Sequence, residues 1–506
     1  MPFGEQFHAL TTGKIDVSTD RTTPTIERDI VESSTNQGMT FTTPYLYGGG
    51  VFYGLENFVA CADRGDTLLG DCRDLSVCVK TDTVWADLVQ DTLPATAPYK
   101  FQSNSELLQA LSKGLCNVIA SSPLIIYEEL FRLNIPDVDQ YVMAVQHRAR
   151  DPIAMTTRND DTEFGDMVNW VLQSLIVAEA MNISKANADE FPTTDLFGDQ
   201  YTHMFRRAIK AAGNYGDLYA TYMEIIVPRD EAGINRPHLY PNDGGLLYPL
   251  PFGNTKVLDD NRAMAVGPTP GGTLEMIEGR GNFNCGILVG RPGFAQWNET
   301  SNDFVGIDVD YCRGLAASMF AGDLVDTVKL IPYESEDDGF VALFNEEIDV
   351  LVGAEYNIVN DIRQPTTGHG FSFGGIYFYH QEAPVEKINS VKVLAIATRE
   401  DDTQWTDFVR SIVQSTIYAE SKGISRACTL QEVSCDIAKE SAVAMPVLEL
   451  LGPTYTQAFQ DVILSIGNYA EIYERNMERY VPRSENVRNT LNNGTTPMFF
   501  SNWQFS

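Results

Sequence analysis

The sequence predicts an α/β fold laid out as two tandem, diverged copies of one unit, and three observations carry that expectation. The phrase "GNYGDLYATYMEIIVPR" from Gly213 returns as "GNYAEIYERNMERYVPR" from Gly467, 254 positions further on. Upstream, "TTRNDDTEFGDMVNWVLQSLIVAEAMNIS" from Thr156 answers "ATREDDTQWTDFVRSIVQSTIYAESKGIS" from Ala397 at an offset of 241. Between Tyr45 and Arg148, strand-like and helix-like stretches alternate, as in a crossover unit. A chain of 506 residues also exceeds one core, because cores stop growing beyond roughly 250–300 residues.

The elements follow in order. "FHALTTGKIDVSTD" from Phe7 answers "FVALFNEEIDVLVG" from Phe340 at an offset of 333. The fall from 333 to 241 means that the first copy holds about 92 residues the second lacks. They lie between "YLYGGGVFYG" near Tyr45 and "RARDPIAMTTR" near Arg148. In them "LSVCVKT" reads as a strand, "NSELLQALSKG" as a helix capped by Asn104, and "CNVIASS" as a second strand. The paired phrases at Thr156 and Ala397 read as amphipathic helices, with apolar positions Phe164, Met167/Val168, Val171/Leu172, Ile176 and Trp405, Phe408/Val409, Ile412/Val413, Ile417. Asp161 and Asp402 stand ahead of them, where a helix N-terminus favours acid. The second copy in turn has about 60 residues of its own, from roughly Gly279 to Glu336. "GRGNFNCGILVGRPGFAQW" reads as a strand and loop, and "FVGIDVDYCRGLAASMF" as a helix with Val309, Cys312, Ala316 and Met319 on one face. The first copy opens at Met1 without these, which reads as a truncated beginning.

Composition excludes several function classes. A formal charge of −33 and an isoelectric point near 4.4 argue against nucleic acid or an anionic membrane surface as partner. No apolar run approaches the roughly 20 residues that span a bilayer, and the first residues show no signal-peptide pattern. The six histidines have no metalloprotease spacing, and neither a nucleophile elbow nor a P-loop occurs, so an enzyme is not expected. The eight cysteines form no C-x-x-C and have no histidine at zinc spacing, so neither metal nor cofactor is expected. Their even number suggests disulfides, with buried free thiols as the alternative.

A family resemblance rests on ordered motifs. "GRGNFNCGILVGRPGF…FVGIDVDYCRGLAASMF", "ALTTGKIDV…TTPTIERD…FTTPYLYGGG" and the "GNYGDLY"/"GNYAEIYERN" block resemble periplasmic amino-acid-binding proteins of ABC transporters (solute-binding protein family 3, general L-amino-acid type). The resemblance implies tandem type II periplasmic-binding-protein units, α/β in class, the first with two lobes and the second reduced to lobe 1. The first unit would span 1–255, with lobe 1 in 1–54 and 147–235 and lobe 2 in 55–146. A linker would fill 256–273, and 274–506 would hold the second unit. By the same resemblance Cys78 pairs with Cys116 and Cys285 with Cys312, and Cys61/Cys72 and Cys428/Cys435 would then close short loops. That pattern suits an extracytoplasmic, oxidising compartment.

The implied ligand is an amino acid or a related small polar solute. Its carboxylate needs a guanidinium fork, and the family's Thr-x-Thr-x-x-Arg phrase falls on Thr23, Thr25 and Arg28. On lobe 2 the family's Ser-Gly-Thr-Thr loop appears as "KTDTVW", where Thr83 matches and Asp82 replaces a glycine. The family's ammonium-binding aspartate falls at Ser122, and burying an ammonium without an anion costs several kcal/mol in order of magnitude. In the second copy Arg363 is displaced by about two positions, Ile358 and Asn360 replace the threonines, and Phe294 and Trp297 are left to line an open face. Two roles therefore stand side by side: a solute-binding protein using the first copy's cleft, or a scaffold that kept the fold, lost the ligand, and contacts a protein partner or itself.

Overall fold

The computed structural model describes residues 5–24, 26–30, 38–68, 70–81, 85, 89, 92–133, 138–144, 151–224, 226, 229, 272–320, 327–381, 391–429, 455, 457–484 and 489. It is mixed α/β throughout, and three larger sheets order it.

The first sheet begins after helix α1 (Glu5–Thr11) with β1 (Ser18–Thr22), which leads into the short helix α2 (Ile26–Ile30). Strands β2 (Met39–Phe41) and β3 (Leu46–Gly48) follow. The chain then enters a second sheet through β4 (Val51–Leu55), helix α3 (Glu56–Arg64), β5 (Val77–Lys80), β6 (Tyr99–Phe101), helix α4 (Asn104–Ser112), β7 (Val118–Ser121), helix α5 (Pro123–Leu133) and β8 (Tyr141–Met143). It returns along β9 (Asp151–Arg158), which pairs antiparallel with β1, β2 and β3.

The second sheet has the order β6-β5-β7-β4-β8. β5 and β7 pair in parallel, Val77 opposite Val118, as the strand–helix–strand reading requires. Side chains alternate across the pleat: Phe52, Val77, Val79, Val118 and Ala120 enter one apolar cluster, and Val51, Tyr53, Cys78 and Ile119 the other. Residues 51–54, expected in lobe 1, lie in β4 and hence in this sheet. The cap of α4 also differs from expectation. Ser103, not Asn104, accepts from Glu106 N, and Glu106 returns the bond to Ser103 N in a capping box.

After β9 come helices α6 (Thr162–Ala180), α7 (Met204–Ala212) and α8 (Tyr215–Tyr222). The next described element is helix α9 (Gly272–Arg280), which begins inside the stretch expected to end a linker. Asp402 anchors it by accepting from Thr273 N at 2.6 Å, and Ile277 is fully buried.

The third sheet runs from β10 (Phe283–Leu288), past the hairpin β11 (Gln296–Asn298) and β12 (Asp303–Val305), through helix α10 (Ile307–Phe320), β13 (Val328–Tyr333), helix α11 (Glu336–Phe344), β14 (Val350–Glu355), helix α12 (Ile358–Ile362), β15 (Ser372–Gln381) and β16 (Val391–Thr398). Its order is β13-β10-β14-β16-β15. Helices α13 (Thr403–Lys422), α14 (Arg426–Thr429), α15 (Ala458–Ile466) and α16 (Tyr469–Asn476) complete the described chain. α13 lies close on β15 because Gly374 leaves room: a Cβ there would stand 2.6 Å from Val409 Cγ1. Its expected apolar face, Trp405 to Ile417, is buried. Asp161 and Asp402 cap α6 and α13 by accepting from Phe164 N and Trp405 N.

Three disulfides join the pairs the resemblance implied, Cys61–Cys72, Cys78–Cys116 and Cys285–Cys312. Cys428 is also disulfide-bonded, and Cys435 lies outside the described residues. Among the described residues no helix is long and apolar enough to cross a membrane.

Candidate functional site

The candidate cleft residues are carried by two sheets. On the first, β1 ends at Thr22, Thr23 and Pro24 follow, and α2 brings up Arg28. The Arg28 guanidinium is drawn back onto its own layer: Nη1 donates to Thr23 O at 2.8 Å, and the group stands 5.4 Å from the centre of the Phe7 ring. On the second sheet, Ser122 follows the carboxyl end of β7, beside the carboxyl end of its parallel neighbour β5. Ligands of open α/β sheets gather at such ends. Ser122 is buried, its carbonyl accepts from Ile126 N in the first turn of α5, and Pro123 opens that helix. Its neighbour Ser121 is also buried, and its hydroxyl has no hydrogen-bond partner. Sequence reasoning passed over Ser121, although the adjacent serines in "ASSP" signalled it. Thr25 and Thr83 lie outside the described residues.

The expected residues of the other half do not gather in one place. Phe294 is buried edge-on against Phe378, with centroids 4.9 Å apart, rather than lying on an open face. It lines a cavity of about 400 Å³ with Arg291, Glu336, Glu355, His380 and Lys392. Burial, with the nearby Glu355 charge, pushes the Glu336 carboxyl up to about 7, although it accepts from Glu355 N at 2.6 Å. Arg291, in the quoted "GRPGF" loop, donates to Gly353 O and was not singled out from sequence. Trp297 is 51% exposed on the β11–β12 hairpin, edge-on to Phe304. Arg363 closes the C-terminal end of α12 and does not line that cavity. Asn360 donates to Glu355 O, so its side chain is committed to the loop.

Charge is concentrated where the first and third sheets' helices meet. Arg410 of α13 donates to Asp29 of α2 and to Asp407, each at 2.7 Å. In the crosswise arrangement, Trp170 of α6 donates from Nε1 to Asp361 of α12 at 2.6 Å, and Asn169 donates to the Tyr356 hydroxyl. Burial pushes Asp361 up to about 7, partly offset by the Trp170 bond. Burial and then the Asp361 charge push Glu400 up to about 8. Asp166 is raised by the same causes. A cavity of about 200 Å³ opens among these residues. Among the described residues no group of three or more histidine, cysteine or carboxylate side chains is placed to hold a metal ion.

No family model matches the chain. Among curated proteins, the glutamate/glutamine/aspartate/asparagine-binding protein BztA of Rhodobacter capsulatus is 24% identical over 268 residues, covering 49% of this chain and 75% of that protein. The general L-amino acid-binding periplasmic protein AapJ of Rhizobium johnstonii is 26% identical over 269 residues, covering 49% and 74%. Among solved structures, a periplasmic binding protein from Brucella ovis with glutathione bound is 24% identical, covers 49% of this chain and 80% of that one, and has a TM-score of 0.39. Over about half the chain, its homologues are amino-acid-binding periplasmic proteins of ABC transporters.

Proposed function

We propose that the protein is an extracytoplasmic solute-binding protein that takes an amino acid or a related small polar solute between its first and second sheets. The observation that carries this is the placement of Arg28 on α2 at the end of β1, in a chain whose curated relatives are named as amino-acid binders. Arg28 receives the carboxylate in this reading. The same reading gives Thr23 and Ser122 polar contacts to the solute, and likewise Thr25 and Thr83, which lie outside the described residues, while the orphan Ser121 hydroxyl offers a further one. Those relatives favour solute binding over the scaffold role.

The same reading takes the chain as two diverged units, with lobes 1–50/147–235 and 51–146 in the first, β4 going with the second sheet, and a single lobe in 274–506. The antiparallel trio β1-β9-β2 has its counterpart in β14-β16-β15. Asp161 and Asp402 cap corresponding helices, and Asn214/Asp217 and Asn468/Glu471 form corresponding capping boxes. In the second unit β15 leads to β16 with no intervening sheet among the described residues, so Phe294, Trp297 and Arg363 would at most serve an unopposed face.

Thermal unfolding of the full chain across a panel of amino acids and small polar solutes tests the proposal. A solute at 100 times its dissociation constant adds about 2.7 kcal/mol, or about 5–10 °C for a domain of some 200 residues. The expected result is a shift that disappears in Arg28→Ala. No shift with any solute, beside normal cooperative unfolding, would overturn it.

A further inference from the structure

A second cavity, of about 440 Å³, lies between the β11–β12 hairpin, the start of α10 and the helices α14 to α16. Its chemistry runs against that of the chain as a whole, which carries 36 lysines and arginines against 69 acids. Four guanidinium side chains line it, those of Arg313, Arg426, Arg475 and Arg479, and the one acid among its lining residues is Asp310.

That acid is already spent. Asp310 Oδ2 accepts from Arg475 Nη2 at 2.6 Å and from Asn476 Nδ2 at 2.5 Å. Arg313 is braced outside the cavity's lining by Asp303 at 2.7 Å and by Phe304 O at 3.1 Å. These bonds fix two guanidinium planes: Arg475 uses only Nε and Nη2, and Arg313 donates from Nη2 while its Nη1 stands 4.0 Å from Asp310 Oδ1, an ion pair too long to be a hydrogen bond, so each keeps N–H donors for a further acceptor. Arg479 stacks on the Tyr480 ring, 4.4 Å from its centre, and donates to the Tyr480 hydroxyl rather than to an acid. Among the described residues the Arg426 guanidinium makes no hydrogen bond or ion pair; only its backbone N–H is engaged, by Glu471. A purely structural arginine would be expected to find a carboxylate, and among the described residues Arg426 and Arg479 have none.

We infer that this cavity is a binding site for a small oxyanion, a phosphate- or carboxylate-bearing molecule held by Arg426 and Arg479 against the pre-oriented Arg313 and Arg475. Planar guanidinium forks match such oxygens two at a time, and the anion would relieve the mutual repulsion of four like charges. The site is separate from the proposed cleft, shares none of its residues and does not depend on it.

Isothermal titration calorimetry of the full chain with inorganic phosphate and with citrate, against sodium chloride at matched ionic strength, tests this. Saturable binding is expected for at least one of them, and which one responds separates a phosphate ligand from a carboxylate one. Arg426→Gln and Arg479→Gln should each weaken it by about tenfold or more, the scale of a lost charge-assisted hydrogen bond. Lys329→Gln removes an exposed cation on strand β13 and should leave it unchanged. Both arginines are exposed, so these variants should fold. Heat no different from the chloride control for both anions, or equal weakening by all three variants, would overturn the assignment.

Discussion

Replacing Trp170 by Phe probes the seam between the first and third sheets' helices with a magnitude that depends on pH. Trp170 is fully buried, and its indole N–H reaches Asp361 Oδ2 at 2.6 Å. Phenylalanine keeps an aromatic ring against Tyr356 and removes only the donor and part of the bulk. The bulk term is independent of pH. The hydrogen bond is not, because Asp361 titrates at about 7 in the folded chain. Above that value the bond is to a carboxylate and contributes about 1.5–3 kcal/mol; to a neutral acid it contributes about 0.5–1.5. The bond lowers the folded pKa of Asp361, so its charge-dependent stabilisation is present above pH 7 and is lost as pH falls through that value. Urea unfolding followed by circular dichroism at pH 5 and pH 8.5 should therefore give a penalty larger at pH 8.5 by about 1–1.5 kcal/mol. An equal penalty at both values would refute the ionised Asp361, and no penalty at either would refute the contact itself.

Three further outcomes follow from the same geometry. Arg410→Met leaves Asp29 and Asp407 buried without their cation and should destabilise by about 3–5 kcal/mol at pH 8, with less loss at pH 5, read by the same urea transitions. Because burial raises Asp361 to about 7 and Glu400 to about 8, the folded state holds extra protons in mild acid. Stability should fall as pH rises from 5 to 9, and Asp361→Asn, which still offers Trp170 an acceptor, should flatten that slope; a stability that rises over this range would contradict it. Replacing Cys78 and Cys116 by Ala opens a loop of 38 residues and should cost the second sheet about 4 kcal/mol by loop-entropy reasoning, measured by calorimetry.

Much of the backbone plan is legible because it is local. Helical spacing of apolar residues places α6 and α13, the aspartates before them cap as expected, and the apolar runs around Cys78 and Ile119 become parallel neighbours. The misplaced cap at Asn104 came from two adjacent cap-forming residues, and Glu106, three positions after Ser103, was the deciding signal. Helix α9 was hidden by its glycines, and what holds it is Asp402, far along the chain. The seam was illegible for a similar reason: Trp170 and Asp361 are 191 positions apart, and Arg410 and Asp29 are 381. No local pattern announces which buried carboxylate will meet which donor. Likewise Phe294 read as a loop aromatic free to face solvent, but an edge-on partner from β15 buries it.

Arg28 and Asp29 are consecutive residues of one five-residue helix, and they face different constituencies. One belongs to the proposed cleft; the other is gripped by Arg410 of α13, the helix that covers β15. So short a helix has little freedom to turn one side chain without turning the next. A solute that draws Arg28 off Thr23 must then load the Asp29–Arg410 pair, and loosening that pair must alter the affinity for the solute by the same factor. On the proposed two-unit reading, the unit without an opposing lobe becomes, in thermodynamic terms, an effector covalently supplied to the unit that has one.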